Sequence, residues 1–365
     1  MKKTLTYCLV ALLCMVSSCS KNEEGISTSL EQIHLEVADM SSIQTRAQLF
    51  DNYDDLISQG NFTLDAYLKN NGNNFIDNAW VYYFLPDDAV VGEWRFRDVV
   101  NQGNLINFYW PNYTNLDFVA YLPRELSKTA CESVSDISYT AANGVNFTAT
   151  MPAVINDRTE EERIAENAKQ ELVYACRLDQ GKEAGSVKLR FVHPFATIRF
   201  RLHQSHRDLQ INSITLYNVN ISGEFSSGQD TFEPYLSNNL GQDYLTYSNW
   251  IGTESGSIKI NLDKVVPDDI NYQSQIGGPY LVIPQILNDS NRTINLSVNY
   301  TWNGETVESA QYPIATASVP AWQPGKKYTY TLDLGDNKEE ILFKTIVEEW
   351  EKGEEDGYEN NYEVQ

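Results

Sequence analysis

Two short runs constrain the fold of this chain more than any other feature. In Val187-Lys188-Leu189-Arg190-Phe191 and in Ile198-Arg199-Phe200-Arg201-Leu202, three apolar residues alternate with two basic ones. A period of two puts the apolar set on one face and the charges on the other, which describes a half-buried strand and not a helix. Similar runs of aromatic and β-branched residues, separated by Gly, Asn, Asp and Pro, recur along the chain. In the first half they are Ile33–Val37, Phe62–Leu68, Ala79–Leu85, Leu105–Tyr109, Leu116–Leu122 and Val145–Met151. In the second they are Leu172–Leu178, Ser186–Val192, Thr197–Leu202, Ile211–Val219, Ser257–Leu262, Tyr280–Pro284, Thr293–Tyr300, Tyr328–Leu334 and Ile341–Val347. One helix is predicted, Thr159–Gln170, charged on most faces and close to a domain junction placed at Gly181–Gly185. Short strands at this density predict an all-β chain of β-sandwiches.

Ahead of the strands stands a leader. Lys2 and Lys3 precede an apolar stretch, Leu5 to Val16, which ends in Val16-Ser17-Ser18-Cys19. The stretch is about 12 residues, short of the roughly 20 that a helix needs to cross a bilayer, so residues 1–18 read as a removable signal. A signal ending in two small residues and a cysteine is the pattern of bacterial lipoproteins. In that pattern the Cys19 thiol takes a diacylglycerol and becomes the mature N-terminus. Ser20 to Glu24 would then be a polar spacer between the lipid and the fold.

About 346 of the 365 residues follow Cys19, more than one domain of typical size, so two domains are expected. Removing Lys2 and Lys3 takes the formal charge from -23 to about -25. A chain this acidic has no electrostatic attraction to nucleic acid or to an anionic bilayer. With Cys8 and Cys14 in the leader and Cys19 acylated, only Cys131 and Cys176 remain, too few for a disulfide framework.

Catalytic signatures are missing. The histidines are His34, His193, His203 and His206; His203 and His206 could sit near each other, but no Cys lies beside them at metal-ligand spacing. His-Glu-x-x-His, the P-loop, Gly-x-Ser-x-Gly and a nucleotide-binding glycine pattern do not occur. Asp87-Asp88, Asp268-Asp269 and Glu354-Glu355-Asp356 lack the spacing of a calcium loop and read as solvated turns. The expectation is a protein that is not an enzyme and holds no cofactor or metal. The seven tryptophans and 22 tyrosines fall mostly on alternating strand positions, where core packing is the usual use. Stacking platforms for sugars are the alternative.

Several blocks, taken in order, resemble the Bacteroidetes fimbrillin family, the type V pilins and their fimbrillin-like lipoprotein relatives. Tyr109-Trp110-Pro111 followed by Leu116-Asp117-Phe118-Val119-Ala120-Tyr121-Leu122-Pro123 is similar to that family's aromatic strand pair. Gln170-Glu171-Leu172-Val173-Tyr174-Ala175 resembles its closing block. Val187 to Phe200, with Phe191-Val192-His193 between two strands, resembles its most recognisable motif. Tyr280-Leu281-Val282-Ile283-Pro284-Gln285 and Trp322-Gln323-Pro324-Gly325-Lys326-Lys327-Tyr328-Thr329-Tyr330 resemble its late blocks.

The resemblance implies two tandem transthyretin-like β-sandwich domains, residues 47–183 and 184–350, after a lipidated segment, 19–46, and before an acidic tail, 351–365. It implies a subunit of a surface fimbria, exported as a lipoprotein, with other fimbrial subunits, the outer membrane and a surface receptor or glycan as partners. In that family an Arg-directed protease releases the first strand of the N-terminal domain, and a strand from the next subunit fills the groove. Thr45-Arg46-Ala47 fits such a cut, and Ile33–Val37 is what the cut would release. Ser20 after Cys19, with Glu23-Glu24 behind it, fits the outer membrane by family analogy. A surface glycan-binding lipoprotein shares the leader and the sandwiches and stands as the alternative.

Overall fold

The fold is seen in a computed structural model, which describes residues 31–37, 61–87, 91–97, 105–122, 133–156, 172–203, 209–228, 230–231, 245–265, 273–334 and 341–349. The predicted helix Thr159–Gln170, along with Cys19, Arg46, Ala47, Cys131 and the tail 351–365, lies outside them. Strand is the dominant structure of the described residues, whose helical elements are two single 3-10 turns at Lys182–Ala184 and Tyr247–Asn249.

In chain order the strands begin with β1 (His34–Val37), β2 (Asn61–Leu68), β3 (Asn74–Phe84), β4 (Glu93–Arg97), β5 (Leu105–Ile106) and β6 (Leu116–Leu122). Next come β7 (Val134–Thr140), β8 (Gly144–Thr150), β9 (Val154–Asn156), β10 (Val173–Gln180), β11 (Ser186–Leu189) and β12 (Ala196–His203). The long strands β13 (Leu209–Ser226) and β14 (Trp250–Val265) follow, then β15 (Gln273–Val282), β16 (Gln285–Ile286) and β17 (Asn295–Trp302). The last are β18 (Glu305–Glu308), β19 (Tyr312–Pro313), β20 (Ala321–Trp322), β21 (Lys326–Leu334) and β22 (Ile341–Glu349).

The first sheet runs β10-β6-β2-β3-β4-β1-β11, with β5 on β4. Its two ends meet again. Tyr174 and Val192 exchange both backbone hydrogen bonds, at 3.2 and 2.8 Å. The curled sheet encloses a core built around Phe62, Leu64, Val81, Trp94, Phe118 and Phe191. Alternation decides which residues enter it: Val187, Leu189 and Phe191 are buried, and Lys188 between them is exposed.

The second core lies between two sheets. One is the four-stranded β15-β12-β21-β22, which contributes Ile198, Phe200, Leu202, Tyr328, Tyr330 and Leu332. The other is β18-β17-β13-β14-β9 with β19, β8 and β7 attached, which contributes Ile214, Leu216, Val298 and Ile260. Residues 134–156 thus pair with strands beyond residue 209: β8 with the end of β13 and β9, in parallel, with β14.

The two cores share strands. On β10, Val173 and Ala175 enter the first core while Tyr174 and Cys176 enter the second. A buried carboxylate reinforces the junction. Asp117 accepts hydrogen bonds from Tyr139 Oη and the Asp179 backbone N–H, both at 2.7 Å, and from Lys69 Nζ at 3.4 Å. The ring of Tyr139, on β7, lies 4.7 Å from that of Tyr67, on β2. Cys176 is a buried free thiol, and burial pushes its pKa well up, which disfavours the reactive thiolate.

Candidate functional site

The first strand is the part of the molecule built like a separable piece. Ile33-His34-Leu35-Glu36-Val37 alternates, and the structure uses the alternation fully. Ile33 and Leu35 are buried, Val37 packs half-buried beside them, and His34 and Glu36 face solvent. The β1 strand runs parallel to β11 with Leu35 opposite Val187, and antiparallel to β4 with Leu35 opposite Trp94. Just ahead of it, the Ile33 N–H donates to the Phe108 carbonyl at 2.8 Å and the Trp110 N–H to the Glu31 carbonyl at 2.9 Å. Residues 31–37 are therefore an inserted strand, with neighbours on both sides.

The recess that takes it is aromatic. The rings of Phe62 and Trp94 are 5.0 Å apart, those of Phe62 and Phe191 5.1 Å, and those of Tyr83 and Trp94 5.2 Å. Burying Ile33 and Leu35 contributes a gross ~3–6 kcal/mol. At the solvent face the contacts are light. Glu36 accepts a hydrogen bond from Ser186 Oγ at 2.6 Å, and Lys188 Nζ lies 4.0 Å from its carboxylate, an exposed pair that adds little. Were β1 to leave, β4 and β11 would present unpaired backbone donors and acceptors beside an apolar slot.

Of the residues singled out in the sequence, the strand itself is in place, and Cys19, Arg46 and Ala47 lie outside the described residues. Chain order adds one fact: Arg46 falls between the end of β1 and the start of β2, so a break there would leave β1 held by non-covalent contacts alone. Of the slot's two walls, β11 falls within the predicted strand Ser186–Val192, whereas β4 has no counterpart among the predicted strands. Glu93-Trp94-Arg95-Phe96-Arg97 does alternate, and that alternation could have marked β4. Among the described residues no group of three or more His, Cys, Asp or Glu is placed to hold a metal. Trp94, Trp110, Trp250 and Trp322 are buried, whereas Tyr113 is 74 % exposed on the loop after β5.

The described residues thus form a two-sheet sandwich joined to a curled sheet with an inserted first strand. The model of fimbrillin-like proteins matches residues 100–350. The chain belongs to the fimbrillin-like family. Its fold resembles that of a fimbrial protein from Bacteroides vulgatus, at 16% identity and a TM-score of 0.54, over 87% of this chain and 99% of that one. A candidate cell adhesion protein from Bacteroides uniformis matches at 15% identity and a TM-score of 0.49, over 90% and 100% of the two chains. The tip fimbrial protein Mfa3 from Porphyromonas gingivalis matches at 11% identity and a TM-score of 0.36, over 87% and 98%. No curated protein matches the chain in sequence.

Proposed function

We propose that this chain is a non-enzymatic subunit of a surface fimbria, exported as a lipoprotein acylated at Cys19 and assembled by strand replacement in its first sheet. Its two domains would be β-sandwiches of the transthyretin-like type. The observation that carries the proposal is the position of β1, flanked on both sides and joined to the rest of the chain through a segment containing Arg46. Cleavage between Arg46 and Ala47 would free β1. A strand from a second subunit would then restore its hydrogen bonds and fill the positions of Ile33 and Leu35 by β-augmentation. Because such a contact is head-to-tail and does not close on itself, repetition builds a filament. The inward packing of most described tryptophans supports a fimbrial subunit over a glycan binder, which would present aromatic platforms.

The mature N-terminus tests this, read by intact mass and N-terminal sequencing of cell-bound protein and of fibres sheared from the producing cells. A chain beginning at Ala47 in the fibres is the expected result. A chain that always begins at Cys19 and never enters fibres removes strand replacement, leaving an anchor or a glycan-binding lipoprotein.

A further inference from the structure

The outer face of the first sheet carries a second feature. Its β10-β6-β2 end is covered by the second core, which takes in Val119, Tyr174 and Cys176 and packs against Tyr67 and Tyr121. The same face continues across β3, β4 and β5, where Trp80 pairs with Arg97, Tyr82 with Arg95 and Phe84 with Glu93. The side chains interleave. The Arg97 guanidinium sits 3.8 Å from the centroid of the Tyr82 ring and 5.5 Å from that of Trp80, and the Arg95 guanidinium 3.9 Å from that of Phe84. Exposed apolar residues flank this ladder, Leu105 opposite Arg97 on one side, Leu85 and Val91 at the β3–β4 turn on the other.

Arg95 is paired with Glu93. Arg97 is different: among the described residues no carboxylate lies within ion-pair reach of it, and its Nε is buried without a hydrogen-bond partner. That is unexpected in a chain with a formal charge of -23. A guanidinium lying against a ring is held in one orientation, and its terminal N–H groups are donors of the geometry a carboxylate accepts.

The sequence holds a complement. Along β4, Glu93, Arg95 and Arg97 present the charge order minus, plus, plus at alternate positions. After β22, Lys352, Glu354 and Asp356 present plus, minus, minus at alternate positions. Alternate residues of any extended segment lie about 6.6 Å apart on one face, so the two sets can meet pair by pair.

We propose that the ladder Trp80, Arg97, Tyr82, Arg95 and Phe84 is a docking site for residues 350–365 of a second copy of this chain. Lys352 meets Glu93, Glu354 meets Arg95 and Asp356 meets Arg97. The contact needs neither cleavage at Arg46 nor departure of β1, so its failure leaves strand replacement standing, and the reverse.

The test is fluorescence anisotropy of a labelled peptide, Trp350 to Gln365, titrated at physiological salt with the full chain carrying K352Q, E354Q and D356N, so that its own tail does not compete. Saturable binding is expected, weakened about tenfold by R97E in the chain, in line with loss of one charge-assisted pair. A D356R peptide should bind the unaltered site about tenfold more weakly, and R97E together with D356R should recover most of the loss. General attraction to an acidic protein predicts the opposite sign, a D356R peptide that binds more tightly. That result, or no saturable binding, overturns the proposal. If R97E does not fold, as circular dichroism and Tm will show, the D356R peptide decides the matter alone.

Discussion

The first and last described strands make an instructive pair. Four residues long, β1 stands between β4 and β11; β22 has nine residues and, among the described residues, a single neighbour, β21, which puts it at the edge of its sheet. By length and hydrogen bonding β22 is the more substantial strand. Departure from an edge only creates a new edge, however, while departure from between two strands leaves a gap about 10 Å wide, bounded on both sides. A two-sided slot specifies its next occupant through two ladders and a shaped recess, and an edge specifies it through one. What makes a terminal strand exchangeable is thus where it is inserted.

The largest expected effect comes from supplying each strand in trans. A chain lacking residues 1–46 should lose ~3–6 kcal/mol of stability, the gross burial of Ile33 and Leu35, and a peptide of Glu31 to Val37 should restore most of it, read as the recovery of Tm. A chain lacking β22 should recover far less from a peptide of Ile341 to Glu349. Equal recovery in the two cases would break the comparison.

Next in size is a pair of truncations. Leu35→Ala should cost about 2–5 kcal/mol in urea unfolding, because it opens a cavity among packed rings. Val347, 40 % exposed on β22, should lose no more than about 0.5 kcal/mol when changed to alanine.

The smallest effect belongs to Asp65, on β2, which touches neither terminal strand and so sets the baseline. Burial raises its pKa from the ordinary aspartate value, opposed by the Asn78 N–H that donates to it at 2.5 Å and aided by Asp77. A raised folded-state pKa favours folding below the unfolded value, and that advantage is lost as pH rises through the folded one. Asp65→Asn should therefore stabilise the chain by up to about 0.5 kcal/mol at pH 7, with the gain in Tm vanishing as the medium is acidified to where aspartate is protonated.

Much of this architecture was legible because burial imposes a period of two. Leu116–Leu122 was read with the boundaries the structure has, and Ile198, Phe200 and Leu202 face a core as their alternation requires. Where the reading fell short, the causes are specific. The run Ile211–Val219 continues to Ser226, because Asn220-Ile221-Ser222-Gly223 looks like a turn yet lies across from β14 through register shifts. Its partner begins at Trp250, not Ser257, since Gly252 interrupts the pattern. A Cβ there would come within 2.4 Å of the Asn220 side chain, so the residue that suggests a turn is the one that lets two strands approach. The β4 strand escaped notice because three of its five residues are charged. Of the candidate site, β1 and the strand containing β11 could be read, but their adjacency could not: Val187 and Trp94 are brought to Leu35 by pairings between distant parts of the chain, which no local pattern encodes.

The sharing of β10 between two cores has a consequence for how such a chain can change over generations. Odd and even positions answer to different neighbours, so each set can drift within apolar residues independently, and substitutions can accumulate with little cost. A single inserted or deleted residue is another matter. It would exchange the occupants of both cores at once, turning Tyr174 and Cys176 toward the first and Val173 and Ala175 toward the second. Lineages carrying this fold should therefore vary widely in the letters of β10 and almost never in its count, a strand whose spelling is free and whose metre is fixed.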